Sequence, residues 1–196
     1  MSSHLTMLER EFFQQAPEVC ARELIGTVFT WNGCSGIVVE TEAYAEHGDE
    51  ACHTFFRPSA RQFVESKPTG TAYIYLNYGM YWLSNVLIKG GPSNGFVLIR
   101  ALEPLEGIPK MQKRRNKERL TDLCSGPGKL SMALGISGED HGRSFVRSSK
   151  RGFFTPANQP PKVEADVRIG ISKAVDLRWR FLAKDSPYVS VPPTGN

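Results

Sequence analysis

Apolar and polar residues alternate most regularly in Val38-Val-Glu-Thr-Glu-Ala-Tyr44, which reads as a strand. Side chains alternate between faces, so Val38, Glu40, Glu42 and Tyr44 point one way and Ile37, Val39, Thr41 and Ala43 the other. The carboxylates of Glu40 and Glu42 would then lie roughly 6.5 to 7 Å apart. Upstream, Thr27 to Trp31 is β-like, and Asn32-Gly33 is a type I′ hairpin signal that returns the chain from about Ser35 into the Glu42 segment. A second ribbon runs Tyr73-Ile-Tyr-Leu-Asn-Tyr-Gly-Met-Tyr-Trp82 and on to Ile88. Asn77 and Gly79 are turn formers, which predicts two strands with Tyr78 and Met80 at the tip. Phe96 to Ala101 is another apolar strand and carries Arg100 near its end. Val167 to Ile171 and Arg178 to Ala183 are read as closing strands.

Helical signals are fewer. Thr6-x-x-Glu9 has the form of a capping box opening a short helix through Phe12 and Phe13. Pro17 suits a first helical turn, and Gly26 suits a stop. Lys129 to Leu134 reads as a short helix after a tight turn. Glu46 to Lys67 shows no clear period and is predicted as loop with short helical turns; Gly138 to Pro161 is predicted as exposed loop. No internal repeat or composition shift marks a boundary, so residues 1–196 are expected to form one domain.

The chain has 196 residues, 40% of them hydrophobic, enough for one good core. No run approaches the roughly 20 apolar residues of a membrane helix. Met1 to Arg10 carries charges and no apolar stretch, so no signal peptide is expected. Cys20, Cys34, Cys52 and Cys124 have neither metal-ligand spacing nor a disulfide framework, which suggests reduced thiols and an intracellular location. A net charge of +4 permits a polyanionic partner without demanding one.

Candidate chemistry sits at the two ribbons. Four of the six tyrosines fall in the second. Most suit sheet packing, but an aromatic at the Tyr78 tip has little core to enter, and such side chains can wedge between bases. Lys110 to Arg119, with six basic residues and one acidic, is either a solvated helix face or a phosphate contact. Ser125-Gly-Pro-Gly-Lys129 is no P-loop, because Leu123 and Leu130 stand where the first Gly and the Ser or Thr are needed. The turn could still place a helix amino end against one phosphate. The Glu pair admits a glycosidase arrangement, a metal nuclease with Asp49 and Glu50 nearby, or one Glu activating a water. Spacing does not choose among these.

The motifs Val39-Glu-Thr-Glu-Ala-Tyr44, His53, Tyr73-x-Tyr-x-x-Tyr-Gly-Met80, Asn85, Leu98-Ile-Arg-Ala-Leu-Glu-Pro-Leu-Glu106 and Leu123-Cys-Ser-Gly-Pro-x-Lys-Leu130 together resemble the alkyladenine (3-methyladenine) DNA glycosylase family. Glu11-Phe-Phe13 and Asp185-Ser-Pro-Tyr-Val-Ser190 extend the likeness from about Leu8 to Ser190. The resemblance implies a mixed α/β domain with a curved, mainly antiparallel sheet, a protruding hairpin and surrounding helices. It further implies a monomeric, DNA-associated glycosylase that needs no metal or cofactor and acts on double-stranded DNA holding damaged purines. Glu42 matches the family's general base and Arg100 a residue beside it. Tyr44, His53, Tyr75 and Asn85 match the base pocket. Tyr78 matches the wedge, flanked by Met80 and Tyr81, while Ser59, Arg61 and Lys129 match DNA contacts. Phe55 and Phe56 have no counterpart in this matching. A metal nuclease using Glu40 and Glu42, or an inactive domain that only binds damaged DNA, would be the alternatives.

Overall fold

Two twelve-residue strands lie side by side at the centre and carry both carboxylates and the arginine between them. The computed structural model describes residues 5–148, 150–155 and 159–194. Its strands in chain order are β1 (Val28–Trp31), β2 (Cys34–Ala45), β3 (Ala72–Asn77), β4 (Tyr81–Ile88), β5 (Gly95–Glu106), β6 (Arg151–Phe154), β7 (Val163–Asp166) and β8 (Arg180–Ala183). The helices are α1 (Pro17–Glu23), α2 (His53–Phe56), α3 (Pro58–Ser66), α4 (Ile108–Arg115) and α5 (Pro127–Leu134). Every strand pairing is antiparallel, in the order β3-β4-β5-β2-β1-β6, with β8 joining β2 and β7. The expected mixed α/β architecture with a protruding hairpin is present.

β2 is long enough to serve two neighbours on one edge. Its first residues pair with β1 across the Asn32-Gly33 turn, where both residues have left-handed φ of 48° and 75°. Glu40 to Glu42 pair instead with β8. The sheet's two faces then differ in character. One core holds Phe13, Phe29, Trp31, Phe145 and Phe153, with ring centroids 4.8 to 6.1 Å apart. Each such ring removes enough apolar surface from water to contribute about 2 to 3 kcal/mol. A second, smaller cluster joins Cys52, Ala60, Phe63, Val64, Tyr73, Leu87 and Phe96, with Tyr44 and Tyr75 packed on it. That cluster supports the aromatic floor described below.

Four local expectations are corrected. Thr6 and Glu9 form no capping box, because the backbone of Thr6 pairs with Thr155 and a 3₁₀ turn starts only at Arg10. The segment Glu46 to Lys67 holds a nine-residue helix, α3, begun by Pro58 and buried through Ala60, Phe63 and Val64. Three apolar residues on one face are too few to announce a period over so short a span. Within Gly138 to Pro161, whose residues 149 and 156–158 lie outside the described set, β6 extends the sheet beyond β1. Finally, residues 167–171 are irregular; the strand precedes them at Val163–Asp166. Residues 1–4 of the segment read for a leader also lie outside the described set. No described helix is long and apolar enough to cross a membrane.

One glycine sets the site's geometry from behind. A Cβ on Gly95 would lie 2.0 Å from the Tyr44 carbonyl oxygen and 3.0 Å from Ala45 Cα, both backbone atoms that cannot turn aside. Gly95→Ala is therefore expected to destabilise the fold by about 2 kcal/mol, as overpacking does. Chemical denaturation measures this, and an unchanged midpoint would contradict so close an approach.

Candidate active site

The alternation along β2 sends Glu40, Glu42 and Tyr44 to one face, and Arg100 meets them from β5. Between these strands the register passes from Val38 opposite Leu102 to Glu40 opposite Ala101, then to Thr41 opposite Ile99, skipping Val39 and Arg100. Such bulges re-aim a side chain locally. Arg100 Nε donates to Glu40 Oε1 at 3.0 Å and Nη1 to Glu42 Oε2 at 3.2 Å. Burial works against the charged guanidinium, but Glu42 and Glu40 outweigh it and hold its pKa above the ordinary value.

Glu42 is fully buried. Its Oε2 also accepts the Tyr44 hydroxyl at 2.8 Å, and its Oε1 accepts the Ile169 N–H at 2.7 Å. All three partners are donors, the environment of a carboxylate. Burial, with Glu42 adding, pushes the Tyr44 phenol well above its usual range, so it stays protonated and keeps donating. Oε1 takes only one of the two bonds an ionised oxygen can accept.

Tyr44 and Arg100 open onto a cavity of about 610 Å³, together with His53, Tyr75 and Asn85. The five pocket and arginine positions expected from sequence are thus brought together, and Tyr78 lies at the cavity's edge. His53 opens α2, its ring centroid 4.4 Å from that of Tyr75 and its Nδ1 3.0 Å from the Tyr73 hydroxyl. Behind them Tyr73 stacks on Phe96 at 4.3 Å. Burial, with Arg57 adding, lowers the His53 pKa to about 4, and burial raises Tyr75 to about 12. The floor is therefore aromatic and uncharged near neutrality. Asn85 is buried, and its amide nitrogen donates to the Tyr73 carbonyl at 3.1 Å.

The hairpin tip stands clear of the core, with Tyr78 81% and Met80 67% exposed. Tyr78 and Gly79 have left-handed φ of 49° and 68°. A tyrosine in that region costs about 1–2 kcal/mol. Tyr81 lies lower, against the first turn of α5: a Cβ on Gly128 would sit 2.9 Å from the Tyr81 Cβ. Lys129 is exposed on that turn, and Ser59 is exposed on α3. Neither lines the cavity. Arg61 does not line it either; its guanidinium caps α2, donating to the Thr54 carbonyl at 2.6 Å. In the basic run, Arg114 and Arg115 likewise bond carbonyls, of Ala133 and Leu123.

A family model described as methylpurine-DNA glycosylase matches residues 11–187. The chain belongs to that family. Similar curated relatives include proteins of Rhodopseudomonas palustris (42% identity over 186 residues, 95% of this chain and 89% of the relative) and Chlorobium luteolum (39% over 191 residues, 95% and 97%). A protein of Nitrosospira multiformis is 45% identical over 174 residues, 88% of each chain. All three are provisionally named 3-methyladenine DNA glycosylase. As a methylpurine-DNA glycosylase, the chain is an N-glycosyl hydrolase of base excision repair that acts on DNA.

The candidate site also contains groups to which the sequence assigned no place in the pocket. Arg168 pairs with Asp49 through two bonds of 2.6 and 2.8 Å, bonds the Ala43 carbonyl, and lies 4.6 Å over the Tyr44 ring. The pair is 119 residues apart in the chain and fully buried. Ile169, on the adjoining irregular segment, delivers its backbone N–H to Glu42. Phe55 and Phe56, 59% and 54% exposed, line the cavity mouth, with Phe56 edge-on to His53 at 5.4 Å. Among the described residues, no three His, Cys, Asp or Glu side chains gather as a metal site.

A depressed histidine pKa favours the neutral ring in the folded state. Its stabilising contribution is present above the unfolded value of about 6.5 and is lost as pH falls through about 4. Followed by NMR, the His53 ring is expected to titrate with a midpoint near 4. A midpoint near 6.5 would mean the imidazole is open to water.

Proposed function

We propose that this glycosylase hydrolyses the N-glycosyl bond of alkylated or deaminated purines, such as 3-methyladenine, 7-methylguanine, hypoxanthine and ethenoadenine, after each is turned out of duplex DNA. One observation carries the reading: a buried carboxylate, Glu42, is held by three donors from Tyr44, Arg100 and Ile169, residues that themselves line the aromatic cavity, with one acceptor position left on Oε1. A water bonded there would lose a proton to Glu42 as it attacks the anomeric carbon. The same negative charge, fixed before reaction, would stabilise positive charge growing on the sugar. Arg100 would hold the carboxylate in place through its bond to Oε2.

A base inside the helix cannot reach Glu42, so the nucleotide must leave the stack, at a cost of a few kcal/mol. Tyr78 would fill the gap it leaves, and Met80 and Tyr81 would lie against the groove. The extruded purine would stack on Tyr44, His53 and Tyr75, whose faces attract electron-poor alkylated rings. Neutral His53 adds no repulsion to a cationic base. Asn85, immobilised on the Tyr73 carbonyl, would crowd the exocyclic amine of normal guanine. Ser59 and Lys129 would meet the backbone outside the pocket, and Arg61 would act on it through the position of α2. A metal pair at Glu40 and Glu42 is disfavoured by chemistry, since the Arg100 charge already occupies the space between the two carboxylates.

The decisive measurement is single-turnover base release from duplex DNA holding one hypoxanthine or one alkylated purine, in chelator. Wild type is expected to release base, and Glu42→Gln to lose at least about a thousandfold, in the upper part of the range for a positioned base, while still binding the lesion. Near-normal turnover by Glu42→Gln would remove the base assignment; loss of wild-type activity in chelator would favour the metal reading. Lesion binding without release by either protein would favour a damage-binding domain.

Tyr78→Ala is expected to lower release most for lesions that remain well paired, because those pay the full unstacking cost. Comparing hypoxanthine opposite thymine with the same base in a bulge tests this. Equal losses on both substrates would rule out a wedge.

A further inference from the structure

One cluster of buried groups plays no part in the reading above: Glu40, Arg180, Asp166 and the last described residues of the chain. Glu40 is fully buried and accepts four bonds: from Arg100 Nε at 3.0 Å, Arg180 Nε at 2.8 Å, the Ser190 N–H at 2.5 Å and the Ser190 hydroxyl at 2.8 Å. Three of these fall on Oε1, where two guanidinium groups and the Ser190 hydroxyl converge, and one on Oε2. Glu40 is therefore the common anchor of Arg100, Arg180 and Ser190. Arg100 in turn is held at all three nitrogens, by Glu40, by Glu42 and, through Nη2, by Ser190 Oγ at 3.3 Å. The segment carrying Ser190 is itself fastened. Arg180 donates to the Val191 carbonyl, and Thr194 bonds Asp166 through its N–H at 2.8 Å and its hydroxyl at 2.5 Å.

A lone arginine facing a lone carboxylate prefers a two-pronged pair that covers both oxygens. On Glu42 that arrangement would cover Oε1, the position a water needs. Pinning Nε and Nη2 elsewhere fixes the guanidinium plane and leaves only Nη1 for Glu42. We propose that Glu40 and Ser190 are positioning residues: they hold Arg100 to one oxygen of Glu42, and residues 186–194 form a strap that carries the second of them into place. This rests on the reading of Glu42 as the base.

The test is single-turnover release at saturating enzyme, alongside lesion affinity, for Ser190→Ala, Ser190→Thr, Glu40→Gln and Glu42→Gln. Ser190→Ala is expected to slow the saturated rate about tenfold, the loss of a hydrogen bond to a charged group, with affinity and thermal midpoint near wild type. Ser190→Thr, which keeps the hydroxyl, is expected to restore most of the rate. Glu40→Gln is expected to cost about a hundredfold, as a misplaced catalytic group does. If that variant does not fold, the serine pair still decides. A Ser190→Ala protein at the wild-type rate would overturn the proposal, as would equal losses in the alanine and threonine variants. An inactive Glu42→Gln beside a fully active Ser190→Ala would sink the positioning role alone. Turnover by Glu42→Gln would sink the base assignment beneath it.

Discussion

Two glutamates on one face of a buried strand repel each other, and the fold is arranged to answer that repulsion. Arg100 enters between them from β5, and Arg180 completes the neutralisation of Glu40. Taking either cation away would leave a carboxylate unpaired in the core, typically a loss of 3–5 kcal/mol. The demand reaches outward through the sheet. Bulges at Val39 and Arg100 aim the arginine, β8 must lie against Glu40 to Glu42 so that Arg180 arrives, and the chain beyond β8 must double back for Ser190 to arrive. A hydrophobic pair in place of the ions would give a simpler core. It would also give no buried carboxylate with a free acceptor position.

Much of this was legible in the strand pattern. Period-two alternation put Glu40, Glu42 and Tyr44 on one face, and the Asn32-Gly33 turn fixed the register that delivers them. Asn77 and Gly79 marked the hairpin tip, so Tyr78 was singled out as an aromatic without a core to enter; in the fold it is the most exposed large hydrophobic of the described residues. Arg100, a charge near the end of an apolar strand, has two buried partners. These signals are local: each depends on residues within a few positions of one another, and strand geometry carries them into space directly.

The rest depends on distance along the chain. Asp49 is legible only as an acidic neighbour of the Glu pair, and Arg168 not at all, until the irregular segment after β7 brings them together, 119 residues apart, behind Tyr44. No periodicity encodes that meeting. The same segment was read as a strand from its apolar residues, yet its value at the site is a backbone N–H freed from any ladder and offered to Glu42. Helix α3 failed to announce itself because only Ala60, Phe63 and Val64 need to be apolar where one face of two turns is covered. Arg61, a DNA contact by resemblance, has a second duty in capping α2, which no resemblance between motifs could convey.

The pocket joins these two levels. Its aromatic floor is uncharged because burial, the largest cause at each, acts on His53, Tyr73 and Tyr75 in the direction that favours the neutral form. The carboxylates are kept one layer deeper, where Arg100 and Arg180 balance Glu42 and Glu40. Under the proposed mechanism a flipped purine would meet faces that select by stacking, while Glu42 and Arg100 act on its sugar. Separating the two in depth would let the site accept purines of different shape and charge on the floor while holding one fixed geometry for the bond that breaks. That geometry depends on the arginine staying where the two glutamates put it.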